Sequence, residues 1–257
     1  MSPRPMVAVR FRDVLAAELI KITTLPATWI VLALGFGAGG LLGIVAATDV
    51  VRVAGQDGRI PIAELGAFTL SPVYAFVAIA VFAAGGEYPG GQLRVSLAAV
   101  PGRDLLFAAK LTASAAFCLV ASIPAVLPGH LLRNLSAIRA GEPEAGDAVA
   151  GLLGLLGLLA AYLLLGLVGF GLAVVTRTVV TPLVTLLLTP VLVSPMLEGT
   201  LPHVVSLLPH EAALSLIGMP ADPATALGPA AGLLVSAAWA TLSVAVARWT
   251  FVRRDTT

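Results

Sequence analysis

Charged side chains make up only 11% of the 257 residues, against 58% hydrophobic ones, and the mean hydropathy is +1.00. A water-soluble domain carries about a quarter of its residues charged, so a chain this poor in charge has no aqueous fold that could hide its apolar surface. Lysine is rarer still: Lys21 and Lys110 are the only two, and neither stands in a GxxxxGK context followed by Ser or Thr. ATP hydrolysis through a phosphate-binding loop is therefore excluded, and the chain is not expected to be an enzyme in its own right. The single cysteine, Cys118, rules out an intrachain disulfide and reads as a small core residue inside an apolar run. Histidine is almost as scarce. HEAAL, starting at His210, opens like the zinc motif HExxH but closes on Leu214, and His203 lies in a proline-broken segment, so no metal site is expected. The apolar runs also lack Asp, Glu, Lys, Arg or His at their centres, which is where a proton- or sodium-driven carrier places its working charges. No acid dyad or metal-ligand pair lies within a run to suggest an intramembrane protease.

What the chain does have is length of hydrophobic sequence. A bilayer core about 30 Å thick requires roughly 20 apolar residues per helix, and six runs approach or exceed that: Trp29 to Ala47, Phe68 to Ala84, Leu105 to Leu127, Val149 to Val175, Val179 to Leu197 and Leu227 to Ala247. They do not alternate apolar and polar residues as barrel strands would. The expected class is an all-α membrane protein with six transmembrane helices, forming one domain over residues 1–257. With the N-terminus in the cytoplasm, eleven of the fifteen Lys and Arg residues fall on the cytoplasmic side. That bias places both termini in the cytoplasm of a protein that crosses a cell membrane, inner or plasma, several times. Nine of the fourteen acids fall in the outer connections: Asp49, Asp57, Glu64, Glu142, Glu144, Asp147, Glu198, Glu211 and Asp222. No apolar run begins before Trp29, which argues against a cleaved secretory signal.

Before the first span, residues 7–25 read as an amphipathic helix lying in the membrane interface, with Phe11, Val14, Leu15, Leu19 and Ile22 on one face. Glu18 falls within that apolar face. It pairs either with Lys21 three residues on or with a cytoplasmic arginine further along the chain. Pro26 is expected to end this helix. In the first span Gly35, Gly39 and Gly43 recur every four residues, a stripe that either lets another helix approach closely or reflects the general abundance of glycine in membrane helices. Gly151, Gly154 and Gly157 form a narrower seam in the fourth. Pro182, Pro190 and Pro195 should kink or segment the fifth span, with Thr185 or Thr189 satisfying the freed carbonyls. Between spans five and six, HEAALSLIG is too short to cross and reads as a short surface helix or re-entrant hairpin. Gly35, Gly39, Gly43, Tyr74, Thr185 and Thr189 are the candidates for a dimer contact or a transport pathway.

The connection between spans two and three, GGEYPGGQLRVSLAAVPGRDLLFAAK, is too long for a tight turn. Gly85, Gly86, Pro89, Gly90 and Gly91 bend the chain, Gln92 to Val100 can form about two helical turns, Pro101 and Gly102 stop them, and Asp104 can cap the next helix. The short helix carries Gln92 and Ser96 on one side and an apolar stripe of Leu93, Leu97 and Val100 suited to a groove on a soluble partner. The alternative for such a strip is a charged interfacial loop that binds lipid.

These residues resemble a known family, the type-2 permeases of ATP-binding-cassette (ABC) exporters. The resemblance spans essentially the whole chain: the lead-in AELIK followed by TLPATW with its Glu18 and Lys21, six spans, and after span two the pattern formed by Glu87, Tyr88, Gly91, Arg94, Leu97, Pro101, Arg103 and Lys110. Pro89 directly after the Glu-Tyr pair and Gln92, where threonine is common, depart from it. The resemblance implies that the strip is a cytoplasmic coupling helix docking on a separate ABC ATPase subunit, which alone would hold ATP and Mg. It further implies a homodimer with a second permease copy in the lipid bilayer, and export of an amphipathic or hydrophobic substrate. No cofactor bound by this chain and no nucleic-acid partner are expected. A non-transporting membrane scaffold or immunity protein, or an ion-coupled secondary carrier, are the other classes open to such a sequence.

Overall fold

A computed structural model describes residues 9–48, 52–55, 58–61, 70–140 and 148–253. Among these, five helices are long and apolar enough to cross a membrane, and a sixth crossing arises if one pair bent by 61° is taken together. The chain is thus a multi-pass membrane protein by the length and composition of its helices. Of the outer acids, Asp49, Asp57, Glu64, Glu142, Glu144 and Asp147 lie outside the described residues, as does the start of the second predicted span.

Helix α1, Phe11–Thr24, is shorter at both ends than the predicted 7–25. Leu25 is extended, with ψ 118°, and Pro26 is the first residue of α2, Pro26–Thr48. The proline forces the residue before it out of the helical region and then serves as a preset first helical residue. It thus opens the span as well as closing the lead-in. Between α2 and the next span, β1, Arg52–Gly55, pairs antiparallel with β2, Gly58–Pro61, a hairpin in what the sequence suggested only as a loop. Helix α3, Val73–Gly85, is followed by a tight 3-10 turn over Pro89–Gly91 and by α4, Gln92–Ala99. Helix α5, Arg103–Ala140, runs through Pro124 and Pro128 and far past the predicted end at Leu127. Prolines are tolerated inside membrane helices where neighbours satisfy the freed backbone.

Helix α6, Ala148–Thr176, is the fourth span, and with α3 it forms the centre of the bundle, packing on α3, α5 and the last helix, α11, Pro229–Arg253. The fifth span is segmented as its prolines predict: α7, Val180–Leu188, a π-helical turn over Thr189–Val193, and α8, Ser194–Glu198. The Thr189 hydroxyl donates to the Thr185 carbonyl at 2.7 Å, the partner such a break calls for. The outer connection contains α9, Pro202–Val205, and α10, Pro209–Leu216. Every residue of α10 from His210 to Ser215 is buried, because the helix packs between α6 and α11 instead of lying on the surface. The close approach is explicit at Gly232, where a Cβ would stand 2.6 Å from the Leu216 amide nitrogen.

The glycine stripe of α2 is used within the chain. A Cβ on Gly35 would meet Ala75 at 2.9 Å, one on Gly39 the Ala125 carbonyl at 2.8 Å, and one on Gly43 the Cα of Gly129 at 2.7 Å. The three glycines therefore let α2 seat on α3 and α5 within one chain.

Candidate functional site: a four-charge cluster

Four charged side chains meet where α1, the turn after α3 and the start of α5 come together. Glu18 lies on the stripe of α1 that also buries Val14 and Ile22, residues four apart and so on one face. Its two carboxylate oxygens accept from Lys21 Nζ at 2.7 Å and from Lys110 Nζ at 2.8 Å. Glu87 bridges the same two lysines, taking Lys21 at 2.7 Å and Lys110 at 2.9 Å. The result is a closed ring of alternating sign with no net charge. Ser96, from the middle of α4, accepts from Lys21 at 3.1 Å and donates to Glu87 at 3.3 Å. Lys110 is 3% exposed, two turns inside an apolar helix.

Burying isolated ions costs several kcal/mol each, and only close pairing with satisfied hydrogen bonds offsets this. Burial works against the charge on Glu87, but Lys110 and Lys21 outweigh it and hold its carboxyl below the ordinary value of 4.5. Burial likewise opposes the charge on Lys21, and the two carboxylates outweigh it, raising the amine above 10.5. The signs fix the working window. The Glu87 contribution is present above about pH 4.5 and is lost as pH falls through the depressed value. The Lys21 contribution is present below about pH 10.5 and is lost as pH rises through the elevated one.

The surrounding strip is tied down at every turn. Gly90 and Gly91 take positive φ, 81° and 74°, so that the chain reverses between Pro89 and α4, a conformation side chains other than glycine resist. Tyr88, half-buried, donates to the Val174 carbonyl at the end of α6 at 3.4 Å. Burial pushes its phenol up to about 12, with Arg177 pulling the other way. Arg103 donates to the Val252 carbonyl near the end of α11 at 3.3 Å. Leu93 is buried, and Leu97 and Val100 pack on the core.

Four sequence expectations change here. The apolar stripe of α4 faces its own bundle, leaving Gln92, Arg94, Val95, Ala98 and Ala99 as the outward face, with Val95 72% exposed. Ser96, expected with Gln92 on a side separate from the apolar stripe, turns inward to the ring. Asp104 does not cap α5: its carboxylate is taken by Arg248 of α11, 2.9 Å away. Glu18 does pair with Lys21, but its distant partner is Lys110 and not an arginine. Sequence reasoning placed Lys110 in the strip without a role; the one available signal was that a lysine stood inside an apolar run, where it needs a carboxylate.

At the opposite end of the bundle, Tyr74 of α3 shares a 2.9 Å hydrogen bond with His210 Nδ1 of α10, the two rings stacked with centroids 5.9 Å apart. Burial lowers the imidazole pKa to about 4, and burial raises that of the neighbouring Glu211 despite the Ser194 hydroxyl beside it. A histidine with a depressed folded-state pKa takes up its proton more readily in the unfolded chain, so stability falls as pH drops from about 6.5 towards 4. Thermal unfolding followed at pH 7 and pH 5 should show a loss that His210→Gln largely removes; equal pH slopes in the two proteins would contradict it. Thr185 is exposed on α7 and Thr189 half-buried at its end, and the structure brings neither to Tyr74 or to the ring.

No protein-family model matches the chain, and no curated protein matches it.

Proposed function

We propose that the chain is the permease subunit of an ABC exporter, working as a homodimer with a separate ATPase that supplies ATP hydrolysis. The observation that carries this reading is the charge ring. It fastens the lead-in helix, the strip after α3 and the start of α5 into one unit, with a compact outward face on α4. A partner's motion can move membrane helices only through an element that does not yield when pushed. A strip held by two carboxylates, two lysines, Tyr88 and Arg103 meets that requirement. On this reading the unit stands in the cytoplasm, in agreement with the excess of Lys and Arg on that side. Nucleotide-driven closure of two ATPases would press on Arg94, Val95 and Ala98, and the push would reach α3 and α5 directly. The cargo class suggested by the predominantly apolar helices is amphipathic or hydrophobic.

The test separates contact from stability. Glu87→Ala disturbs the ring itself, so it cannot report on docking alone. Val95→Glu combined with Ala98→Glu alters the outward face and leaves the four charges of the ring in place. The double variant should insert and fold as the parent does, and should lose at least tenfold in capture of the ATPase that co-purifies from the source cell, with vanadate-sensitive transport falling in step. Unchanged capture and transport would overturn the reading.

A further inference from the structure

A cavity of about 80 Å³ lies between α2, α5 and α6, in the half of the bundle away from the charge ring, and is closed partly by the segment after α10. Gly39 and Gly43 form one wall, Gly129 and His130 a second, and Tyr162 and Met219 others. The volume is several times the ~10–15 Å³ that a single water requires. Among the described residues no Asp, Glu, Lys or Arg lines it. Most of its surface is apolar, and its polar groups are few.

Tyr162 is the informative one. Its side chain is 2% exposed, and its ring packs on Phe76 with centroids 5.1 Å apart. Its hydroxyl is not one of the fully enclosed unpaired oxygens, which are those of Ser114, Ser194 and Ser236 among the described residues, and Tyr162 lines the cavity. The cavity is therefore the space in which a partner for the phenol can sit. The neighbouring polar wall is fixed: His130 Nε2 donates to the Gly151 carbonyl at 3.0 Å, which holds the ring in place.

We infer that this cavity is a binding site for one small neutral molecule with an apolar body and a single hydroxyl or carbonyl, the polar group meeting the Tyr162 hydroxyl. An ion is disfavoured because no charge lines the wall to offset its desolvation. A wholly apolar guest would leave the phenol unsatisfied. The site lies inside one subunit and does not depend on an ATPase or on a second copy, so its test can fail or succeed apart from the exporter reading.

The purified full-length protein in lipid nanodiscs is photolabelled with a trifluoromethyl-diazirinyl benzyl alcohol and the modified peptides are mapped. Label is expected on residues of α5 and α6 that line the cavity, and benzyl alcohol should compete at concentrations roughly three- to tenfold below toluene, the difference one hydrogen bond makes. Tyr162→Phe, which removes the phenol oxygen, should equalise the two competitors without loss of helicity. Leu158→Phe, which fills the space, should abolish cavity labelling in both backgrounds. Label scattered over lipid-facing residues with no competition, as for a cavity holding only water, would overturn the inference. So would toluene competing as well as benzyl alcohol in the parent protein.

Discussion

Replacing Lys110 by alanine is expected to lower the stability of the folded chain by about 3–5 kcal/mol, the range seen when one member of a buried ion pair is removed. The amine is 3% exposed and is shared by Glu18 at 2.8 Å and Glu87 at 2.9 Å. Without it, two carboxylates face Lys21 alone, and the ring changes from neutral to a buried excess of one negative charge. Glu87 also loses the strongest of the interactions that hold its carboxyl down. Its pKa should therefore rise toward the unfolded value, and the stability lost on acidification below about pH 4.5 should be smaller than in the parent. Reversible unfolding in mixed micelles measures the first effect, and the same titration repeated from pH 7 to pH 4 measures the second. Lys110→Met together with Glu18→Gln removes one charge of each sign and should recover more than half of the loss, since a balanced apolar replacement of a buried pair is often tolerated. A change below about 1 kcal/mol in the single variant would mean that water reaches the ring, and the rigidity argued for the strip would fall with it.

The second large effect is expected at Gly171 in α6. A Cβ there would lie 2.7 Å from the Ser243 carbonyl carbon and oxygen and from its Cβ, so the backbones of α6 and α11 touch at this point. Two of the three obstacles are main-chain atoms, which cannot rotate aside. Gly171→Ala should cost about 1–3 kcal/mol, and Gly171→Leu more, by forcing the fourth and last spans apart. Gly37→Ala is the control. Its added methyl meets nothing within 4 Å, and in a helix it should be neutral or stabilising by up to about 1 kcal/mol. Equal behaviour of the two alanine variants in the same unfolding assay would refute the close crossing.

Much of this architecture was legible beforehand, for reasons that can be stated residue by residue. Pro190 and Pro195 announced the break in the fifth span because a ring nitrogen cannot donate to the helix ladder. The strip from Gly85 to Lys110 announced a turn, a short helix and a second turn, because Gly90 and Gly91 supply φ values open to few other residues. Glu18 announced a pairing, because it stood on the apolar face of its helix, but neither its burial nor its second partner Lys110 was announced. The hairpin at residues 52–61 was not announced, since four-residue strands carry too little pattern to stand out from a loop. The burial of α10 was also hidden. HEAALSLIG is equally compatible with a surface helix, and its admission to the interior depends on tertiary contacts such as the close approach at Gly232 of α11.

The sequence by itself determined the solvent and the element type, because both depend on totals and on local order: 11% charge over 257 residues, runs near 20 residues long, and prolines and glycines at the breaks. Only the tertiary structure decided which residues meet. Glu18 and Lys110 are 92 positions apart, and Tyr74 and His210 are 136, and no periodicity relates such pairs. The same holds for the α2 glycines, whose stripe is visible in one dimension but whose occupant is not. A helix face carries its own chemistry, whereas the partner of that face is selected by how the whole bundle closes.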